Sequence, residues 1–260
     1  MTTTVQDIES MLFRWAPIDL AEDWDNVGLL VGEPTAPVQR VLVALDITEA
    51  VVEEAIHQQA QLIVSHHPVM NCTWHKVQTI RSDDRQGRIL CALVQNRISA
   101  ICMHTNLDAA QGGVNDVLAE KLQLHDIIPL TEEKIGRVGI LKSELPLVEF
   151  THFVIKLLGC NGLRYTSCGK PVHRVAVGGG ACGDYIEHAI ALGCDTFLTS
   201  DLRYHDFLDA AQSINLIDAG HFPTEQVIVP RLVSRMQSAF PTVTILKSTA
   251  HCSEVIQYCM

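Results

Sequence analysis

The chain has 260 residues, 47% apolar and 19% charged, with a formal charge of −11 and a mean hydropathy of +0.17. That length and apolar content suit one large α/β domain or two small ones with a substantial core, and exclude a disordered or disulfide-stapled chain. The acid excess argues against a broad basic face for nucleic acid or anionic lipid.

No run approaches the roughly 20 apolar residues that span a bilayer, and the opening text MTTTVQDIESMLFRW lacks the basic and then apolar regions of a secretory signal, so a cytoplasmic protein is expected. The nine cysteines are scattered singly with no CxxC pair, which predicts reduced, mostly buried side chains rather than a disulfide framework or zinc ribbon. The apolar surplus predicts buried subunit contacts.

Taken in order, DWDNVG, with Asp25 and Asn26, reads as a structural turn with an edge that can face a site. RVLVALD from Arg40 is a continuous apolar strand, ITEAVVEEAIHQQ a helix and AQLIVSHHP a second strand, a βαβ pattern that predicts a parallel sheet covered by helices. RISAICMHTNLD is the next strand, again ending in polar residues, and GGVNDVLAEKLQL the helix after it. From Pro129, PLTEEKIGRVGILKSELPLVEFTHFVIKLLG changes character, with Pro and Gly punctuation and a charge cluster. The grammar then repeats: RVAVGGGACGDYIEHAIALGCDTFLTSDLRYHD runs strand, turn, helix, strand, which suggests an internal duplication. INLIDAG is a further strand, PTEQVIVPRLVSRMQSAF a helix and TVTILKS a last strand. The expected organisation is α/β, with a first lobe over 1–128, a second over 129–218, and 219–260 packing back onto the first.

Ligand sites in parallel α/β sheets lie beyond the carboxyl ends of the strands. Three strands end in metal-binding side chains: His66 and His67, then His104 and Asp108, then His221 and Glu225. Imidazoles and carboxylates arriving from separate strand ends are what a first-row divalent ion needs. Pro68 biases His67 towards extended backbone, where successive side chains diverge, so His66 and His67 are expected to serve two ions about 3.5 to 4 Å apart. Pro223 suits a first helical turn, which places His221 in the preceding loop and Glu225 in that turn, as the candidate bridging ligand. His104 and Asp108 fit a helical turn or a tight loop, with Asp108 a direct ligand and His104 a ligand, proton shuttle or outer hydrogen-bond donor.

GGGACG, from Gly178 to Gly183, formally fits a dinucleotide loop, but the expected acidic residue is poorly placed. A turn for close packing and a phosphate loop for a nucleotide are its other readings. Asp201, Tyr204 and His205 follow a strand end and can face the metals. Ser65 and Ser200 lack a nucleophile elbow, and no cysteine has a recognisable catalytic setting.

WDNVGLLVG, VALD, SHHP, HTNLD, GRVGIL, VAVGGGACG, TSDLRYHD and GHFPTE, in this order, resemble the GTP cyclohydrolase I type 2 family, also called the Nif-three-like family. The resemblance spans nearly the whole chain. It implies two interlocked α/β lobes with mostly parallel sheets, a dinuclear metal centre in the cleft between them and a homohexameric ring. Its metal ligands fall on His66, His67, Asp108, His221 and Glu225. Two departures stand out: VMNCTWHKV after SHHP changes the pocket wall around Trp74 and His75, and the domain inserted in longer members has no room here.

The resemblance points to a hydrolase holding two divalent ions, of zinc, iron, manganese, nickel or cobalt, that opens a ring of GTP or of a related nucleotide or cyclic amidine, with His104 or His205 moving protons. The alternative is a non-catalytic metal-binding scaffold or regulatory interaction protein.

Overall fold

A computed structural model describes residues 2–259. The strands are β1 (Gly28–Val31), β2 (Arg40–Ala44), β3 (Leu62–Ser65), β4 (Ser99–Cys102), β5 (His125–Pro129), β6 (Arg137–Leu145), β7 (Arg164–Thr166), β8 (Val172–Val177), β9 (Thr196–Thr199), β10 (Asn215–Asp218) and β11 (Thr244–Lys247). The helices are α1 (Val5–Trp15), α2 (Glu49–His57), α3 (Arg85–Gln95), α4 (Thr105–Ala109), α5 (Val114–Lys121), α6 (Leu147–Leu158), α7 (Ile186–Ala191), α8 (Tyr204–Ala210), α9 (His221–Glu225) and α10 (Ile228–Ala239).

The chain forms two compact units. The first takes Met1–Ala110 and Ile228–Cys252, and the second Gln111–Val227 and Ser253–Met260. The protein is therefore α/β, and its chain passes from the first unit to the second, back, and across again.

The first unit is built on a sheet of order β1-β4-β3-β2-β11, parallel except for β1 at the edge. The apolar runs in β2 and β3 are buried on both faces, as a helix-covered parallel sheet requires. Their covering helices start cleanly, because Thr48 caps α2 at Val51 N and Asp84 caps α3 at Gly87 N. Leu42, Ile63, Val51, Val52, Leu90 and Leu93 lie at the centre of this core. The strand register aligns the site-bearing edge: Ala44 pairs with Ser65 and Ser65 with Cys102, so β2, β3 and β4 end level with one another.

The second unit has a sheet of order β5-β6-β8-β9-β10-β7, parallel only at its centre, where β8, β9 and β10 are neighbours. The long antiparallel strand β6 joins β5 to β8. Thr199 pairs with Asp218, so β9 and β10 also end together. Gly159 ends α6 in a left-handed turn with φ of 70°.

One expected helix is two. PTEQVIVPRLVSRMQSAF contains Pro223 and Pro230, and each proline is tolerated only in a first turn because it lacks the N–H that the next turn needs. The structure places Pro223 third in α9 and Pro230 third in α10. His221 accordingly opens α9 rather than lying in the loop before it.

Among the described residues no helix is long and apolar enough to cross a membrane. All nine cysteines are free; Cys72, Cys102, Cys160, Cys182 and Cys194 are buried, whereas Cys252 and Cys259 are exposed.

Candidate functional site

In the first unit the level ends of β2, β3 and β4 deliver Asp46, the pair His66 and His67, and His104 to one edge. The backbone N–H groups of His66 and His67 both donate to the Leu45 carbonyl, at 3.1 and 2.9 Å, which bends the chain as soon as β3 ends. This bend replaces the expected extended backbone and brings the adjacent imidazoles together. Candidate ligand atoms of His66, His67 and His104 lie within 4.8 Å of one another, and all three residues are buried.

Each ring is held from behind. His66 Nδ1 lies 2.8 Å from the Met103 carbonyl oxygen. A carbonyl only accepts, so Nδ1 carries the proton and Nε2 presents its lone pair. His67 Nδ1 is 2.7 Å from Asp46 Oδ1, and His104 Nδ1 is 2.8 Å from Asp25 Oδ1. Anchoring one imidazole nitrogen to a carbonyl or carboxylate while the other faces the site is the usual arrangement behind a metal-ligating histidine.

The five residues after His104 form a helical turn, α4, with the His104 carbonyl accepting from Leu107 and Asp108. That turn brings Asp108 Oδ1 to 3.6 Å from His66 Nε2. Asp25, in the turn DWDNVG, also accepts from the Thr105 backbone N–H and hydroxyl and so pins the start of α4. Burial opposes ionisation of Asp25, but the bonds from His104 and Thr105 outweigh it and bring its pKa down to about 2. Asp46 follows the same pattern: burial raises its pKa, and hydrogen bonds from His251 and His67 lower it further than burial raises it.

In the second unit the strand ends deliver Asp201 after β9 and His221 and Glu225 on α9. His221 Nδ1 is 2.5 Å from Asp201 Oδ2, and its Nε2 is 3.0 Å from Glu225 Oε2. Asp201 adopts a positive φ of 56° to reach it. Burial disfavours the charged imidazole, yet the two carboxylates prevail and raise the His221 pKa to about 11.

The GGGACG loop is packed under this helix. Gly179 N–H donates to Asn115 Oδ1 and Gly180 N–H to Thr224 Oγ1. A Cβ on Gly180, where φ is +67°, would stand 2.1 Å from Glu225 Oε1, and one on Gly179 would stand 2.9 Å from Val114 Cγ1. These glycines thus allow a close approach to Glu225, and three of the loop's amides, with Cys182 donating to Thr199 Oγ1, are already occupied by side chains. The geometry is that of the packing turn, not of a dinucleotide loop.

His205 lies exposed in the first turn of α8, its ring 5.3 Å from that of Tyr204. Asp46 is the group that sequence reading passed over. Its signal was present, since RVLVALD ends in a carboxylate as LIVSHH ends in imidazoles.

The donor chemistry fits a divalent ion: imidazoles with fixed tautomers and buried carboxylates form groups that can hold a metal. Comparison with known proteins agrees with the residues and the fold. Residues 3–254 match the Duf34/NIF3 (NGG1p interacting factor 3) family. A Clostridium perfringens protein named GTP cyclohydrolase 1 type 2 homolog is 34% identical over 241 residues, covering 90% of this chain and 91% of that protein. A Streptomyces coelicolor protein of the same name is 36% identical over 222 residues, 80% of this chain and 77% of its own. Among solved structures, a Bacillus cereus protein related to NIF3 aligns with a TM-score of 0.91 at 25% identity, over 99% of both chains. A Staphylococcus aureus hypothetical protein gives 0.91 at 27% identity over 100% of both. With its strand-end histidines, its two α/β units and a family match over nearly its whole length, this chain belongs to the Duf34/NIF3 family.

Proposed function

We propose that this protein is a hydrolase that binds two divalent ions through His66, His67, Asp108, His221 and Glu225 and opens a ring of GTP or of a related nucleotide or cyclic amidine. The observation that carries the reading is the cluster His66, His67 and His104, whose ligand atoms lie within 4.8 Å of one another while Met103, Asp46 and Asp25 hold the opposite ring nitrogens. The relatives named GTP cyclohydrolase 1 type 2 homolog supply the substrate class. When bound, divalent ions supply Lewis acidity, which lowers the pKa of water towards 7 and polarises the bond under attack.

The residues of the chain do the rest. Asp46 and the Met103 carbonyl orient His67 and His66, and Asp201 orients His221. His104, its Nδ1 fixed by Asp25, is the group placed to carry a proton between water and the opening ring. His205 is the alternative proton carrier. Exposed apolar side chains such as Ile18, Val94, Val148 and Leu208 support self-association into the homohexameric ring of a cytoplasmic enzyme.

Elemental analysis of protein purified without added metal, followed by ultraviolet monitoring of GTP and a nucleotide panel with the metal identified, tests the reading. The expected result is about two ions per chain and loss of the purine absorbance, abolished by His104→Gln and retained by His205→Gln. Metal-loaded protein that leaves every nucleotide intact would overturn the hydrolase and favour a metal-binding scaffold.

A further inference from the structure

Trp24 and Trp74 are 51% and 49% exposed. Leaving half an indole in water forgoes burial of a large apolar surface, and tryptophans so placed mark ligand or partner sites. The third tryptophan, Trp15, is packed under the Arg235 guanidinium, 4.2 Å from its ring centre. The two exposed indoles converge on one imidazole: Trp24 and Trp74 meet the His104 ring edge-on with centroids 5.9 and 5.7 Å away. Trp74 also meets His67 at 6.1 Å. Trp24 also forms part of the wall of a cavity of about 350 Å³, with Asn71, Cys72, Thr73, Lys76, Val77 and Gln78; Trp74 stands in the same loop but outside that wall. That volume lies within the range of small-ligand pockets. Lys76 is the only cation of its lining, and it pairs with no carboxylate among the described residues. In a chain of formal charge −11, a local unpaired ammonium is what an anionic ligand requires.

We propose that Trp24, Trp74 and Lys76 form the binding site for a purine nucleotide, the base stacking on the indoles and the phosphates pairing with Lys76. The chemistry selects this class. A planar heteroaromatic ring is stabilised on an aromatic face whatever its edge pattern, the Gln78 amide and Thr73 hydroxyl offer donors and acceptors to a base or ribose, and the ammonium recognises the charge. The stack holds the ligand beside His104, the group assigned proton transfer, and in this respect the proposal rests on the hydrolase reading.

The test titrates metal-free protein with GTP, guanosine and inorganic triphosphate, reading indole fluorescence in a Trp15→Phe background. GTP and guanosine are expected to quench. Trp24→Ala and Trp74→Ala, each read through the remaining indole, should weaken both ligands about tenfold, while Trp74→Phe recovers most of the loss. Lys76→Ala should weaken GTP about fivefold and leave guanosine unchanged. Metal content equal to wild type in every variant as purified, before the metal is removed for the titration, verifies the fold. No quenching by any ligand, or affinities unmoved by the tryptophan substitutions, overturns the proposal. Turnover of GTP with KM unchanged in Trp74→Ala overturns the stack and leaves the hydrolase standing. Indole-dependent binding without turnover does the reverse.

Discussion

The two units bring similar donors to their strand ends and treat them differently. In the first unit three imidazoles crowd together, and each is held by its own acceptor: the Met103 carbonyl, Asp46 or Asp25. In the second unit a single imidazole, His221, lies between two carboxylates, Asp201 and Glu225. The first arrangement fixes one nitrogen of each ring and leaves the other facing the cluster, ready to ligate. The second favours imidazolium in the absence of metal, so a cation that takes His221 must displace a proton. Similar residue types at the ends of parallel strands therefore yield one preformed donor set and one that is completed by exchange. The difference follows from the ratio of carboxylates to imidazoles, not from the fold.

The largest effects come from removing a proposed ligand outright. His66→Ala and Glu225→Gln should each lower metal affinity by more than about 100-fold, beyond the range typical of supporting residues. Elemental analysis after dialysis, with isothermal titration, provides the measurement. If one substitution empties the protein of metal and the other does not, only one of the two donor sets binds ions and the contrast between preformed and exchanging sets fails.

Next come the residues that hold the imidazoles. Asp46→Asn and Asp201→Asn should each weaken metal binding roughly 10- to 100-fold. The two substitutions leave different residues behind. Asp201→Asn leaves His221 its contact with Glu225, whereas Asp46→Asn removes the carboxylate that holds His67 Nδ1. Equal retention of metal by both variants would show that neither carboxylate matters to its ring.

A third prediction concerns acid stability. The folded pKa of Asp25 is about 2, below the ordinary 3.8, so its ionised form stabilises the protein above about pH 4 and that contribution is lost as pH falls towards 2. Asp25→Asn should cost about 2 kcal/mol at pH 7, and the difference from wild type should vanish near pH 2. Thermal melts across this range measure it. A gap that stays constant with pH would place the loss in packing rather than in ionisation.

Much of this site was legible because apolar runs that end in polar residues mark the carboxyl ends of parallel strands. LIVSHH, MHTNLD and IDAGHFPTE carry that mark, and the βαβ text around them specifies which edge they share. The bend after Ser65 was not legible, because it depends on both histidine amides reaching the Leu45 carbonyl just past the end of the neighbouring strand. Nor were the partners of the rings. Asp25 lies 79 residues from His104, and His251 lies 205 residues from Asp46, separations that no periodicity reports. The split between α9 and α10 was readable in principle from Pro223 and Pro230, since two prolines seven residues apart each demand a first turn.

The smallest effect belongs to His251, on the segment after β11. Its Nε2 is 2.8 Å from Asp46 Oδ2, while the other oxygen of the same carboxylate holds His67. The segment is itself tied down by Glu54, which accepts from the Ser248 and Thr249 hydroxyls. His251 thus steadies the carboxylate that steadies His67, one bond further from the proposed metal. Asp46 is 38% exposed along its side chain, so water can replace a lost imidazole there. His251→Ala should weaken metal binding only two- to fivefold, about 0.5 to 1 kcal/mol. The decisive measurement is a double-mutant cycle. In an Asp46→Asn background His251→Ala should have no further effect, because the path through which it acts is gone. A full effect in that background would show that His251 influences the site by some route other than Asp46.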